Sequence, residues 1–327
     1  MKPTTDVFLI TGFLGSGKTT FLNRIIHAFP KDRKLMILMN EFGDIGLDGT
    51  LVENEDLAML EISKGSIFCV CVKTDFIKGL MDIAQNVKPD VLFIEATGVA
   101  NPIDLKRDLD LSIFQNRFLF REQFCLIDAV NFEDAYDTFT SVEKQIESAT
   151  VFIINKIDEA DATTLDQVKM IVRRHHPDPV FHETTFADIP LGDYLLLSDP
   201  GPDQKEDINA VTSEELERFI EDMLATPSHS MTPPDRLMSS TIEWSVGSIE
   251  ELEKLAAKIP ASITRAKGVF RTGEDVYLLN WVMGKKTLNK ISQTSGMAPL
   301  MNKVVFIGSP EAMSQLEDVD FKTDVAV

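Results

Sequence analysis

Short apolar runs alternate with stretches of helical periodicity along the N-terminal part of the chain. Residues 6–11 (Asp-Val-Phe-Leu-Ile-Thr) read as a buried strand. A glycine-rich turn follows, then an amphipathic helix with Phe21, Ile25, Ile26 and Phe29 on one side. Further strand-like runs occupy 35–39, 91–94, 124–127 and 151–154, with helical patterns between them, as at 75–84 and 132–146. Strands alternating with helices predict an α/β domain built on a mainly parallel sheet, covered on both faces.

The pattern changes near Ser198. Residues 199–238 carry five prolines and ten acidic side chains against three basic ones. This predicts an acidic connection with one helix at 213–224. Beyond it, 239–246 alternates like a strand and 249–259 is helical. Strands at 269–270, 276–282 and 303–307 follow, then a last helix after Ser309. The chain thus divides into a P-loop domain at 1–198, a linker at 199–238 and a smaller α+β domain at 239–327.

Composition narrows the function. The 327 residues carry a formal charge of −20, a surface that repels nucleic-acid phosphates. The apolar run at 7–10 is too short for a signal-peptide core, and no stretch could span a bilayer, so a cytoplasmic location is expected. Three cysteines (Cys69, Cys71 and Cys125) are too few for a disulfide scaffold and fit a reducing compartment.

Gly12-Phe-Leu-Gly15-Ser16-Gly17-Lys18-Thr19 matches the P-loop pattern, with Thr20 extending the set. By residue frequencies such a match arises by chance in about one chain of this length in a hundred. Its position between a strand and a helix lowers that further. Gly15 and Gly17 let the backbone wrap around phosphate oxygens, and the helix N-terminus aims its N–H groups at the same place. Lys18 can reach the β- and γ-phosphates, and the Thr19 hydroxyl can ligate Mg²⁺.

Asn155-Lys156-Ile157-Asp158 follows the apolar run 151–154, at the carboxyl end of a strand. A carboxylate there can accept from the N1–H and exocyclic amine of guanine, a donor pair that adenine lacks. The competing reading makes Asp158 the N-cap of the next helix. Glu95 ends another strand and precedes Ala96-Thr97-Gly98. It can hold Mg²⁺ through a water, while Gly98 offers a backbone N–H to the γ-phosphate. Asp128 ends a strand in the same way, and structural hydrogen bonding is its expected role.

Together these pieces resemble the CobW-like GTPases, relatives of the HypB and UreG nickel-insertion GTPases. The resemblance rests on residues 11–20, Asn40-Glu41-Phe42-Gly43, Glu95-Ala96-Thr97-Gly98 and Asn155-Lys156-Ile157-Asp158. Arg265-Ala-Lys-Gly-Val-Phe270 and Val304-Val-Phe-Ile-Gly308 fit more loosely. It implies a GTP-hydrolysing metallochaperone or metal-centre assembly factor that acts on a client metalloprotein, with dimerisation common among relatives. Two rivals stay open: a GTP-regulated activator of a metalloenzyme or corrinoid protein that carries no metal, and a P-loop small-molecule kinase.

The chain departs from the family at its metal motif, Cys-x-Cys-Cys after a glycine. Here the stretch is Gly65-Ser66-Ile67-Phe68-Cys69, so one thiol remains of three. The available ligands for Zn²⁺ or Co²⁺ are Cys69, Glu41 and Asp44, with Cys71 as a spare. If the segment is a strand, Cys69 and Cys71 share one face. His175 and His176 close a helix before Pro177, where interaction with the helix dipole is expected rather than metal binding.

Overall fold

The computed structural model describes residues 5–42, 58–64, 70–96, 101–195, 211–225, 237–244, 246–291 and 301–317, with 319 and 321. It divides into two compact units, the second taking in residues 235–327 together with the strand ends at 41–42 and 63–64.

The first unit is an α/β sandwich. Its strands are β1 (Thr5–Gly12), β2 (Leu35–Phe42), β3 (Ala58–Lys64), β4 (Val91–Glu95), β5 (Phe118–Asp128), β6 (Val151–Asn155) and β7 (Val180–Glu183), in the sheet order β3-β2-β4-β1-β5-β6-β7. The pairs β2–β4, β4–β1, β1–β5, β5–β6 and β6–β7 are all parallel. Parallel strands buried on both faces need continuous apolar runs rather than alternation. β4 and β6 show this, with every residue buried.

The helices are α1 (Lys18–Ala28), α2 (Val70–Asp82), α3 (Pro102–Leu109), α4 (Phe132–Thr138), α5 (Thr140–Ser148), α6 (Ala162–His175), the short α7 (Gly192–Leu195) and α8 (Ser213–Ala225). On one sheet face Val7, Leu9, Leu38 and Ile94 pack with Phe76, Ile77 and Leu80 of α2 and with Ile220 and Met223 of α8. α2 runs on into a single π-helical turn, Ile83–Val87, closed by Lys88 in a left-handed conformation.

The helix expected over 132–146 is two helices. Phe139 adopts an extended backbone (φ −120°, ψ 117°) and breaks it. Its ring packs on Phe13 of the P-loop with centroids 4.7 Å apart, a tertiary contact that local periodicity does not encode.

Lys73 of α2 and Asp108 of α3 form an ion pair at 2.9 Å, both side chains about 95% buried. Breaking such a pair leaves a charge stranded in a dry site. Asp108→Ala is expected to cost about 3–5 kcal/mol, read as a lowered urea midpoint. A loss below about 1 kcal/mol, the range of an exposed pair, would contradict this account.

Among the described residues, the second unit is a five-stranded antiparallel sheet with two helices. It comprises β8 (Met238–Glu243), α9 (Ile249–Ala257), β9 (Arg265–Thr272), β10 (Asp275–Val282), β11 (Lys285–Ile291), β12 (Lys303–Gly308) and α10 (Pro310–Glu317), in the sheet order β11-β10-β9-β12-β8. Gly273 (φ 64°) and Gly284 (φ 85°) make the tight turns between β9, β10 and β11. Trp244, Phe270 and Phe306 form its core with Leu252 and Leu255. β11 is a strand absent from the sequence reading. It lies at the sheet edge with mostly exposed, polar side chains, so no apolar alternation marks it.

Candidate nucleotide-binding site

The chemistry-bearing residues gather at the carboxyl edge of the parallel sheet. β1 is central and ends at Gly12, opposite Leu126 of β5. Glu95 ends β4, level with Ile10, and Asp128 ends β5, level with Asn155 at the end of β6. Open α/β sheets bind ligands at this edge because the loops there diverge and helix N-termini face it.

The loop between β1 and α1 is bent by glycines that no other residue could replace without strain. Gly12 has φ 138°, and a Cβ there would lie 2.4 Å from the Leu126 carbonyl oxygen and 2.7 Å from Ser16 Oγ. Gly17 has φ 106°, and a Cβ there would lie 2.5 Å from Asn155 Nδ2. Lys18 opens α1 and is buried. Its ammonium donates to the carbonyls of Gly12 at 2.9 Å and Phe13 at 3.2 Å, folded back across its own loop. Ser16 Oγ is buried with no hydrogen-bond partner among the described residues, a polar atom in the loop that a phosphate could satisfy. Gly15 also has positive φ (82°), Thr19 is half-buried and Thr20 is exposed.

Asn155 is a brace between two parts of the site. Its Nδ2 donates to the Ser16 carbonyl at 2.9 Å, and its Oδ1 accepts from the Ala187 amide at 2.9 Å. Both ends of the amide are therefore engaged inside the protein. Lys156 has a left-handed backbone (φ 62°), and its ammonium pairs with Asp128 Oδ2 at 2.6 Å. Asp128 also accepts from Asn131 Nδ2 and the Val130 amide. It is thus a structural acceptor that aims the lysine.

Asp158 is exposed, and its Oδ1 accepts from the Thr185 hydroxyl at 3.0 Å. The helix cap belongs to another residue. Asp161 accepts from the Thr164 amide at 2.8 Å at the start of α6. Asp158 is free of that duty and open to a ligand.

The loop after β7 was not marked by the sequence. Thr185, Phe186 and Ala187 lie beside Asn155 and Asp158, and Phe186 and Ala187 both hold positive φ (55° and 54°). Arg24 of α1 donates to the Phe186 carbonyl at 2.6 Å and pairs with Asp188 at 2.9 Å. Two consecutive non-glycine residues in the left-handed region are unfavourable alone, and these tertiary bonds hold them there. The Phe186 ring is 68% exposed, an aromatic face next to the carboxylate expected to read the base. β7 is only four residues long and largely solvent-facing, which hides the loop's approach from periodicity.

Glu95 is buried at the end of β4, and the next amide, of Ala96, donates to the Ile10 carbonyl at 2.9 Å. Gly98, Asp44 and Cys69 lie outside the described residues, and Glu41 is described only as backbone in β2. Cys71 lies in α2, so the strand geometry that would align it with Cys69 does not apply. Cys125 is fully buried, which pushes its thiol up to about 12 despite the Thr11 hydroxyl and Lys18 charge. It is an inert core residue, unsuited to metal binding.

A strand, a glycine-bent anion loop and a helix with lysine at its first position define a P-loop nucleotide-binding domain. This chain belongs to the CobW/HypB/UreG family, whose nucleotide-binding domain model matches residues 6–182. The zinc chaperone YjiA of Escherichia coli is 30% identical over 223 residues, 66% of this chain and 67% of that protein. The zinc chaperone YeiR of Escherichia coli is 33% identical over 156 residues, 47% of each chain. The match thus spans about half the length of YeiR. The crystal structure of the Zn(II)-bound YjiA GTPase from E. coli covers 99% of this chain and 100% of its own at 22% identity, with a TM-score of 0.45. No helix among the described residues is long and apolar enough to cross a membrane.

Proposed function

We propose that this protein binds and slowly hydrolyses GTP, and uses the nucleotide cycle to control delivery of a divalent transition metal to a client metalloprotein. The observation that carries the GTP reading is the Asn155 brace. One amide joins the phosphate loop to the 184–188 loop and leaves Asp158 exposed beside Thr185. Gly12, Gly15, Ser16, Gly17, Thr20 and Gly98 would surround the phosphates, and Lys18 would neutralise the β/γ charge. Lys156 and Asp158 would flank the guanine.

Thr19 and Glu95 would hold Mg²⁺, which would neutralise charge that develops on the phosphate during hydrolysis. The buried carboxylate at the end of β4 and the hydroxyl at the start of α1 are oxygen donors of the kind Mg²⁺ takes. No side chain in the described site is placed as a general base, and turnover without a partner is expected to be slow.

The relatives YjiA and YeiR are zinc chaperones, which supports a metal cargo for this chain. Cys69, with Glu41 or Asp44, would hold the cargo Zn²⁺ or Co²⁺ with an open position filled by water. Glu41 follows β2 residues that pair with β4, whose last residue is Glu95. Metal and GTP affinities should therefore be coupled, and reciprocally. The test is a Zn²⁺ titration with and without a non-hydrolysable GTP analogue, repeated on Cys69→Ser. The expected result is a GTP-dependent affinity lost in the variant. A GTP-dependent zinc affinity that persists unchanged in Cys69→Ser would transfer the proposal to the rival in which the protein activates a metalloenzyme and carries no metal at this place.

A further inference from the structure

We infer that Glu143, Glu147 and His175 form a second divalent-metal site, on the P-loop domain where α5 meets the end of α6. Each offers one ligand atom, and the three atoms lie within 4.8 Å of one another. Small side-chain rotations can therefore bring them to the roughly 2.0–2.2 Å bonds of a zinc ion. This inference is independent of the metallochaperone reading, which concerns residues 41–69.

The donors are placed by the fold. Glu143 and Glu147 are four residues apart on α5, so their carboxylates lie on one helix face. His175 is the last residue of α6. The next residue, His176, donates from Nε2 to the Ile146 carbonyl at 2.7 Å, one residue from Glu147. This fastens the end of α6 to the same turn of α5 that carries the glutamates. His175 Nε2 shares a 2.7 Å hydrogen bond with Tyr136 Oη of α4. A partner on the ring is how metal-ligating histidines are held in one orientation.

The two carboxylates and the imidazole converge on one point. Lys144 contacts Glu147 Oε2 at 2.7 Å. An exposed pair of this kind is weak, and a divalent ion displaces it readily. One imidazole and two carboxylates suit Zn²⁺, Co²⁺ or Ni²⁺, with remaining positions filled by water. Such an ion would staple α5 to α6, the helix that follows the guanine-reading segment.

The experiment uses the full chain carrying Cys69→Ser and Cys71→Ser, which removes the thiols near the proposed cargo site. Zn²⁺ is titrated against a chromophoric chelator. One bound equivalent is expected, weakened at least about tenfold by His175→Asn and by Glu143→Gln and unchanged by His27→Ala on α1. Circular dichroism reports whether each variant folds. Glu147→Gln alters an exposed side chain, so it must weaken zinc as well even if the His175 variant unfolds. Co²⁺ in the same background should show d–d bands without thiolate charge transfer. Failure of the double-serine protein to take up zinc, or a zinc equivalent that Glu143→Gln and Glu147→Gln leave untouched, would overturn the assignment.

Discussion

Lys18→Ala should lower GTP hydrolysis at least about 100-fold and abolish tight nucleotide binding. The ammonium is buried at the start of α1 and already folded over the loop, on the Gly12 and Phe13 carbonyls. Phosphate oxygens entering the loop would take over that charge without moving the helix. Alanine at this position keeps the helix and removes only the charge, so a folded, inactive variant is expected. Wild-type turnover in the variant would mean that the activity belongs to another site or to a contaminant.

Asp158→Asn should reverse base preference. The carboxylate accepts from two guanine donors, whereas an amide would set its N–H₂ against one of them. GTP binding should weaken by about 100-fold or more, because a site built for those hydrogen bonds is left unpaired. Xanthosine triphosphate, which carries an acceptor in place of the exocyclic amine, should bind the variant better than GTP does. Thr185 can still donate to the remaining oxygen at 158, so the loop should keep its geometry. Competition against a labelled nucleotide reads both arms. A variant that keeps the wild-type ranking of the two nucleotides would remove Asp158 from the base site.

The sequence exposed those parts of the site that depend on short, local patterns. A P-loop needs its glycines at fixed offsets and its lysine at a helix start, so residues 12–19 announce themselves. The central strands were visible because burial on both faces demands unbroken apolar runs, as at β4 and β6.

What escaped depends on contacts distant in sequence. The helix break at Phe139 answers to a ring on Phe13. The left-handed pair Phe186 and Ala187 is held by Arg24 and Asn155. Asn155 is expected at the ligand from its motif, and that its amide also joins two loops is visible only in the fold. The pairing of His175 with Glu143 and Glu147 also needed the fold, since nothing local separates a ligand from a helix-terminal histidine.

The central claim is that the exposed carboxylate of Asp158 and the loop braced by Asn155 make a guanine-selective nucleotide site. The most direct measurement is competition of GTP and ATP for labelled GDP on the purified wild-type chain, with Mg²⁺ present. The account predicts displacement by GTP at concentrations at least about 100-fold below those needed for ATP. Equal displacement by the two nucleotides would contradict it.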